Sequence, residues 1–304
     1  MKILLFGANG QVGWELQRAL QPLGVVVPFV RGEGDRAADF ARPGSLEAVV
    51  EAVQPDVVVN AAAHTAVDRA ESEPELAQAI NAEAPGVLAR ACAARGAWLV
   101  HYSTDYVFDG SGDAPRDERA PTAPLSTYGR TKLAGEEQIR ASGCRHLILR
   151  TSWVYGARGG NFAKTMLRLA ATRPELSVVA DQVGAPTGAE LLADLAAQML
   201  PAARRDAALA GTYHAVAAGW TSWHAYAAFV FEEARRRGAT LALRPDGLKP
   251  IPTSAYPTPA ARPLNSRLDT RKLTAAFGLH LPSWQVGVAR MLDEIPLPNS
   301  EEPA

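Results

Sequence analysis

Tyr128 and Lys132 stand four residues apart in a stretch of helical character, and side chains at that spacing leave one face about a turn from each other. A phenol with its ordinary pKa near ~10 is a poor proton donor at neutral pH, but an ammonium a few ångströms away stabilises the phenolate and lowers that value. Such a pair is a usable acid. Just upstream, an apolar strand beginning at Val100 ends in Ser103-Thr104, so the Thr104 hydroxyl can bond the same substrate oxygen that Tyr128 protonates. A loop rich in Pro, Gly and Asp joins the two pieces. Tyr-x-x-x-Lys pairs are usually no more than exposed helix neighbours, so the weight of this one depends on its surroundings.

Those surroundings include a dinucleotide signature. The first strand, Lys2 to Phe6, breaks into Gly7, Gly10 and Gly13, with Gln11 and Val12 between, and helical periodicity follows from Trp14. Glycines so placed allow a tight turn and close approach of a pyrophosphate, while the helix start offers unpaired N–H groups. The spacing is Gly-x-x-Gly-x-x-Gly, not the commoner Gly-x-Gly-x-x-Gly. Where such folds usually carry an acidic residue after the second strand, Val25 to Val30, this chain has Arg31, a cation suited to a 2′-phosphate. NADPH is therefore expected over NADH. Asp39 and Phe40, at the start of an expected third strand, would flank the adenine. The apolar run Asp56 to Ala63 reads as a buried strand. It ends in Ala62 and Ala63, small enough for a flat ligand, and then in His64 and Thr65 at the ligand-binding edge. His64 reads as a wall residue, not a base.

With 304 residues, the chain is long enough for one large or two fused modules. Thirty-one Lys and Arg balance 32 Asp and Glu, which argues against nucleic acid or an anionic membrane as partner. Cys92 and Cys144 lie in no metal or disulfide spacing. A strand and a glycine loop occupy the N-terminus and no apolar run approaches ~20 residues, so a soluble cytoplasmic protein is expected. Strands and helices alternate through Arg150, with one long helix expected over Glu71 to Arg95. The fold class expected is α/β: a Rossmann-like doubly wound parallel sheet over residues 1–152 that may recruit later segments, and a smaller mixed C-terminal substrate lobe over 153–295. That lobe would include a strand at Tyr213 to Val216. Residues 296–304 carry no pattern and read as disordered.

Taken together, Gly7/Gly10/Gly13, Ser103-Thr104 and Tyr128-x-x-x-Lys132 resemble the extended short-chain dehydrogenase/reductases. GANGQVGWELQRAL, HYSTDYVFDG, YGRTKLAGE, RTSWVYG, QVGAPTGAELLAD and RPLNSRL are most similar to the dTDP-4-dehydrorhamnose reductase family, and the matching stretches span nearly the whole chain. That resemblance implies reduction of the C4 ketone of a dTDP-4-keto-6-deoxy sugar by NADPH or NADH. Tyr128 would be the proton donor, Lys132 would lower its pKa and hold the nicotinamide ribose, and Thr104 would polarise the carbonyl. Substrate contacts would come from Val67, Thr104, Asp105, Tyr106, Trp153, Phe162, Lys164, Arg262, Asn265 and Ser266. Trp153 would stack on the sugar, though a core indole is an equal reading. Glu15, Glu190 and Glu294 match positions that hold Mg2+ in some members, while by composition alone they are solvated helix residues. A homodimer is left open.

Two rival readings have their own signatures. A 4,6-dehydratase or 4-epimerase shares the superfamily, but dehydratases resemble one another in carrying Asp-Glu after the Thr, and here Thr104-Asp105 is followed by Tyr106. A non-catalytic subunit, like the regulatory subunit of methionine adenosyltransferase, would keep the fold without the chemistry.

Overall fold

Six parallel strands form the spine: β1 (Lys2–Phe6), β2 (Val25–Phe29), β3 (Val57–Asn60), β4 (Trp98–Thr104), β5 (Arg145–Thr151) and β6 (Gly211–His214). They lie in the order β2-β1-β3-β4-β5-β6. The chain reverses direction of travel across the sheet between β1 and β3, which opens a crevice outside their carboxyl ends. Every residue of β3 and β4 is buried, as apolar strands covered on both faces must be. The computed structural model describes residues 1–32 and 34–298. No described helix is long and apolar enough to cross a membrane.

Helices cover both faces. On one, α1 (Gln11–Leu20) packs Leu16 and Leu20 against Leu5, Val59, Val100 and Leu149. On the other, α2 (Ser45–Val53), α3 (Ala84–Arg95) and α4 (Thr127–Ala141) bury Leu46, Leu88 and Ile139 over Leu4, Val58, Leu99 and Ile148. The helix expected from Glu71 to Arg95 is in fact broken. Val67–Ser72 and Pro74–Gln78 are separate pieces, and a π-turn over Ala79–Glu83 leads into α3. Two prolines explain both breaks. Pro74 disfavours helical geometry at Glu73, and the ring of Pro85 would collide with the Asn81 carbonyl unless the turn widened.

Past β5 the chain builds the smaller lobe. It contains α5 (Phe162–Ala170), a parallel pair Leu176–Val179 with Leu248–Ile251, and a core of Tyr155, Leu167, Tyr226, Phe231, Trp284 and Val288. Between these pieces, α6 (Ala189–Arg205) returns to the sheet, where its Leu192 and Met199 join the core beneath α1, and Arg18 of α1 pairs with Asp194 at 2.9 Å. The strand expected at Tyr213 to Val216 is β6, which extends the main sheet and not the lobe. Recruitment of later segments thus extends well beyond residue 152. α7 (Trp223–Arg236) and α8 (Trp284–Glu294) complete the lobe.

Two expectations fail locally. No third strand begins at Asp39. Val30 and Ala37 make one isolated bridge, and Asp39 accepts from the Ala41 amide and Arg42, closing a turn between Gly34 and Pro43 that is too short and polar for a strand. Residues 296–298 are ordered, since Thr240 N donates to Pro298 O at 2.8 Å and Leu297 packs on the lobe core. The rest of the tail expected to be disordered, 299–304, lies outside the described residues.

Candidate active site

The glycine turn is built by exclusion. Gly7 has φ of 75°, and a Cβ there would sit 2.7 Å from the Ala61 backbone, while one on Gly13 would run into Gly7 O. Only glycine lets β1, β3 and the start of α1 approach so closely. No side chain caps α1, whose first N–H groups face the crevice mouth. Beside them opens a cleft of about 340 Å³, lined by Gly7, Gly10, Arg31, Asp39, Phe40, Ala62 and Ala63 as expected, together with Asn9, Ala61, Leu76 and Ile80, which the sequence did not single out. Phe40 stands edge-on to Phe6 at 5.4 Å, so its ring forms a firm apolar wall.

Gln11, Val12, Gly13, His64 and Thr65, also expected at the coenzyme, do not line this cleft. Gln11 Oε1 accepts from Asn161 Nδ2 at 3.3 Å, Val12 packs inward and Gly13 is buried under the turn. His64 is tied through its amide to Asn81 Oδ1 at 2.8 Å and through Nε2 to Glu73 at 3.4 Å, while Thr65 is exposed.

Thr104 and Tyr128 meet where β4 ends and α4 begins. Ser126 Oγ caps α4 by accepting from Gly129 N, and Glu71 accepts from both the amide and the hydroxyl of Thr127, at 2.7 and 2.8 Å. This clamp fixes the first turn of α4 and sets Tyr128 near Thr104, whose hydroxyl donates to Asp105 Oδ1 at 3.0 Å. Tyr106 braces the phenol edge-on at 5.4 Å. Burial pushes the Tyr128 phenol up to about 12; the neighbouring Thr104 hydroxyl pulls it down and the Asp105 charge pushes it up.

Lys132 departs from expectation. Its side chain is 1% exposed, and Nζ donates to Tyr102 O at 2.6 Å and lies 3.2 Å from His101 Nε2. It does not depress the phenol. With no carboxylate in contact, the buried amine takes the backbone carbonyl as its partner, and burial lowers it to about 8 against the opposing pull of Glu136.

Near the phenol, Asp105 is 3% exposed and accepts from the Thr104 hydroxyl at 3.0 Å, with Ser266 close by and one oxygen left without a partner. Burial raises it to about 6. Tyr106 and Arg262 adjoin, and Val67 opens the short helix that carries Asp68. Arg262 is not a free cation: it pairs with Asp68 at 2.7 Å, which positions one edge of its guanidinium and leaves Nη1 unsatisfied. Asn265 is a loop tie, its Nδ2 donating to the Ser111 and Ala114 carbonyls, because a 3%-exposed amide must find partners within the fold. Trp153 occupies the left-handed region at φ of 49° and stacks one face of its ring on Trp223 at 3.6 Å. Phe162 packs into the same aromatic group, and Lys164 donates to the Ala157 and Gly159 carbonyls at 2.8 Å.

Comparison with known proteins decides what this arrangement belongs to. The family model of the RmlD substrate binding domain matches residues 1–296. An Escherichia coli K12 protein named dTDP-4-dehydrorhamnose reductase is 58% identical over 295 residues, covering 97% of this chain and 98% of that one. The chain belongs to the dTDP-4-dehydrorhamnose reductase family. A solved reductase of that name from Clostridium acetobutylicum superposes with a TM-score of 0.86 at 36% identity, over 96% of this chain and 99% of the other. Another, from Bacillus anthracis and in complex with NADP, gives 0.85 at 36% identity with the same coverage.

Glu15, Glu190 and Glu294, which the resemblance implies as a cation set, lie near one another, and two of them are engaged by arginines. Glu15 and Glu294 are near enough to raise the Glu190 carboxyl, after burial, but Glu15 leans on Arg18 at 3.5 Å and Glu294 on Arg290 at 3.1 Å. Among the described residues no three His, Cys, Asp or Glu side chains gather as a metal set. Sequence reasoning also missed Glu136, which follows Lys132 by one turn of α4 and is wholly buried. It accepts from Ser103 at 2.6 Å, from Arg150 at 2.6 and 2.8 Å and from Arg140 at 3.0 Å. Its spacing from Tyr128 and Lys132 on one helix face was a signal available in the sequence.

Proposed function

We propose that this protein reduces the C4 ketone of dTDP-6-deoxy-L-lyxo-4-hexulose, giving dTDP-L-rhamnose, with NADPH as preferred coenzyme. The observation that carries the reading is the meeting of Thr104 and Tyr128 at the carboxyl end of β4, at the same sheet edge as the glycine turn. The coenzyme supplies hydride when bound. This chain supplies the proton and its placement. Thr104 holds the ketone oxygen next to the phenol, and the Tyr128 proton passes to the oxygen as negative charge develops there. A phenol near 12 remains a competent donor, since an alkoxide is a far stronger base than a phenolate. Lys132, one turn along α4, supplies positive charge for that oxygen while it holds its proton. Arg31 at the rim suits a 2′-phosphate. Asp105, Tyr106, Ser266 and the Asp68-braced Arg262 form the wall that receives the sugar nucleotide. Tyr106 stands where a dehydratase would carry a second carboxylate, which favours reduction alone. Mixing the protein with the keto sugar nucleotide and each reduced coenzyme should consume one NADPH per rhamnose formed. Tyr128→Phe should lose turnover while still binding NADPH; full activity in that variant would refute the proton-donor role.

A further inference from the structure

Beneath the phenol runs a line of buried polar groups that this chemistry does not use. Strand register sets Asn60 of β3 beside His101 of β4, and both are sealed from solvent, at 1% and 0% exposure. Asn60 Oδ1 accepts the Ala62 amide at 3.0 Å. Its Nδ2 is therefore what faces His101 Nδ1, 3.1 Å away, and Nδ1 must accept. Turning the amide over would set two donors, Nδ2 and the Ala62 N–H, against each other. A neutral imidazole has one hydrogen, which then sits on Nε2.

The atom facing Nε2 at 3.2 Å is Lys132 Nζ. An ammonium has three donors and no acceptor, so an ammonium opposite an N–H leaves two buried groups unsatisfied. A neutral amine resolves the conflict, because its lone pair accepts from Nε2 while one of its hydrogens goes to Tyr102 O. Other charges bear on this pair from every side. Glu136 on α4 favours the ammonium but is shared among Arg150, Arg140 and Ser103. His146 on β5 and Lys132 itself both disfavour charge on His101. Tyr128 lies one turn earlier on α4, and the Tyr102 phenol is turned away, donating to Leu192 O.

We propose that His101 is a positioning residue: locked by Asn60 with its hydrogen on Nε2, it offers Lys132 a donor where an ammonium needs an acceptor, and so sets how readily Lys132 gives up its proton. This rests on the reading of Lys132 as part of the reductive machinery. The lowered values of Lys132 and His101 run in the same direction.

Two measurements test it. In full-length protein with 15N-labelled histidine, His101, assigned by comparison with His101→Asn, should show the neutral Nε2–H tautomer from about pH 6 to 9. In Asn60→Asp a carboxylate can accept both the Ala62 amide and Nδ1–H, so the tautomer should invert and give Lys132 an acceptor. Activity that needs the ammonium is lost as pH rises through the Lys132 value, so the alkaline limb of kcat/KM should move up by about one pH unit. His101→Gln, whose carbonyl also accepts, should move it the same way. An Nδ1–H tautomer in the unaltered protein would overturn the inference, as would lowered turnover in both variants with the limb unmoved, the mark of a merely structural role. Full turnover in Lys132→Met would instead overturn the catalytic reading of Lys132 and leave the tautomer result standing.

Discussion

Replacing Glu136 by Gln removes one charge from the most enclosed ion cluster in the described structure while keeping the side chain's shape. Glu136 is 0% exposed and Arg150 is 3% exposed, with contacts of 2.6 and 2.8 Å between them. Gln keeps one accepting oxygen, but the buried Arg150 loses its counter-charge and the new NH2 meets either Ser103 or a guanidinium. Breaking a buried pair from one side costs on the order of 3–5 kcal/mol. In a protein of this size that lowers the melting temperature by on the order of 10 °C, readable by calorimetry at pH 7.5. The Arg150 guanidinium holds the Glu136 carboxyl below its usual range against the opposing effect of burial. Its stabilising contribution is therefore complete above the unfolded carboxyl value, near ~4.3, and is lost as pH falls through the lower folded value. The difference between the two proteins should accordingly shrink on acidification below about pH 4. Because Glu136 ties α4 to β4 through Ser103 and to β5 through Arg150, turnover should fall with stability. A melting temperature within about 1 °C of the unaltered protein, or a difference that does not narrow in acid, would refute the reasoning. Replacing Glu136 and Arg150 together by leucine should cost less than Glu136→Gln alone, since no charge is stranded.

Other perturbations probe the proposed coenzyme cleft and substrate wall. Arg31→Ala should raise KM for NADPH about tenfold and leave that for NADH unchanged in steady-state assays, whereas equal effects on both would remove Arg31 from the 2′-phosphate. Gly13→Ala should weaken NADPH binding by at least about tenfold by titration, because the added methyl displaces the Gly7 carbonyl that shapes the turn. Asp105, raised to about 6, favours the fold most below the ordinary carboxylate value, and that contribution is lost as pH rises through about 6. Asp105→Asn should therefore gain stability relative to the unaltered protein between about pH 4 and 7, by on the order of 2 kcal/mol in denaturant titrations, and a flat difference would contradict the buried charge.

What the sequence made legible was whatever depends on neighbours along the chain. Glycine spacing and the largely apolar runs of β3 and β4 are local patterns, and both appear in the fold. What it hid depends on who meets whom across the sheet. Lys132 lies a turn from Tyr128 in sequence, yet a carbonyl of β4 captures its amine. Trp153 reads equally as a sugar platform or a core indole, because α7 delivers its stacking partner Trp223 from seventy positions on. Asn265 has the donors of a nucleotide contact and spends them on the 110–114 loop. Arg262 looked like a phosphate cation because Asp68, nearly two hundred residues earlier, had no visible link to it. Helix breaks were more accessible, since Pro74 and Pro85 are written in plain view.

The strand that closes the sheet follows β5 only after some sixty intervening residues have been made, because β5 ends at Thr151 and β6 begins at Gly211. On the ribosome, then, β5 emerges with one row of backbone amides and carbonyls bare, and it stays so for several seconds at ordinary elongation rates. For that interval β5 is open to edge-to-edge association with other chains, until β6 pairs with it and becomes the outer strand in its place. Overexpression, which crowds many half-made copies together, should find this window before any weakness of the finished protein.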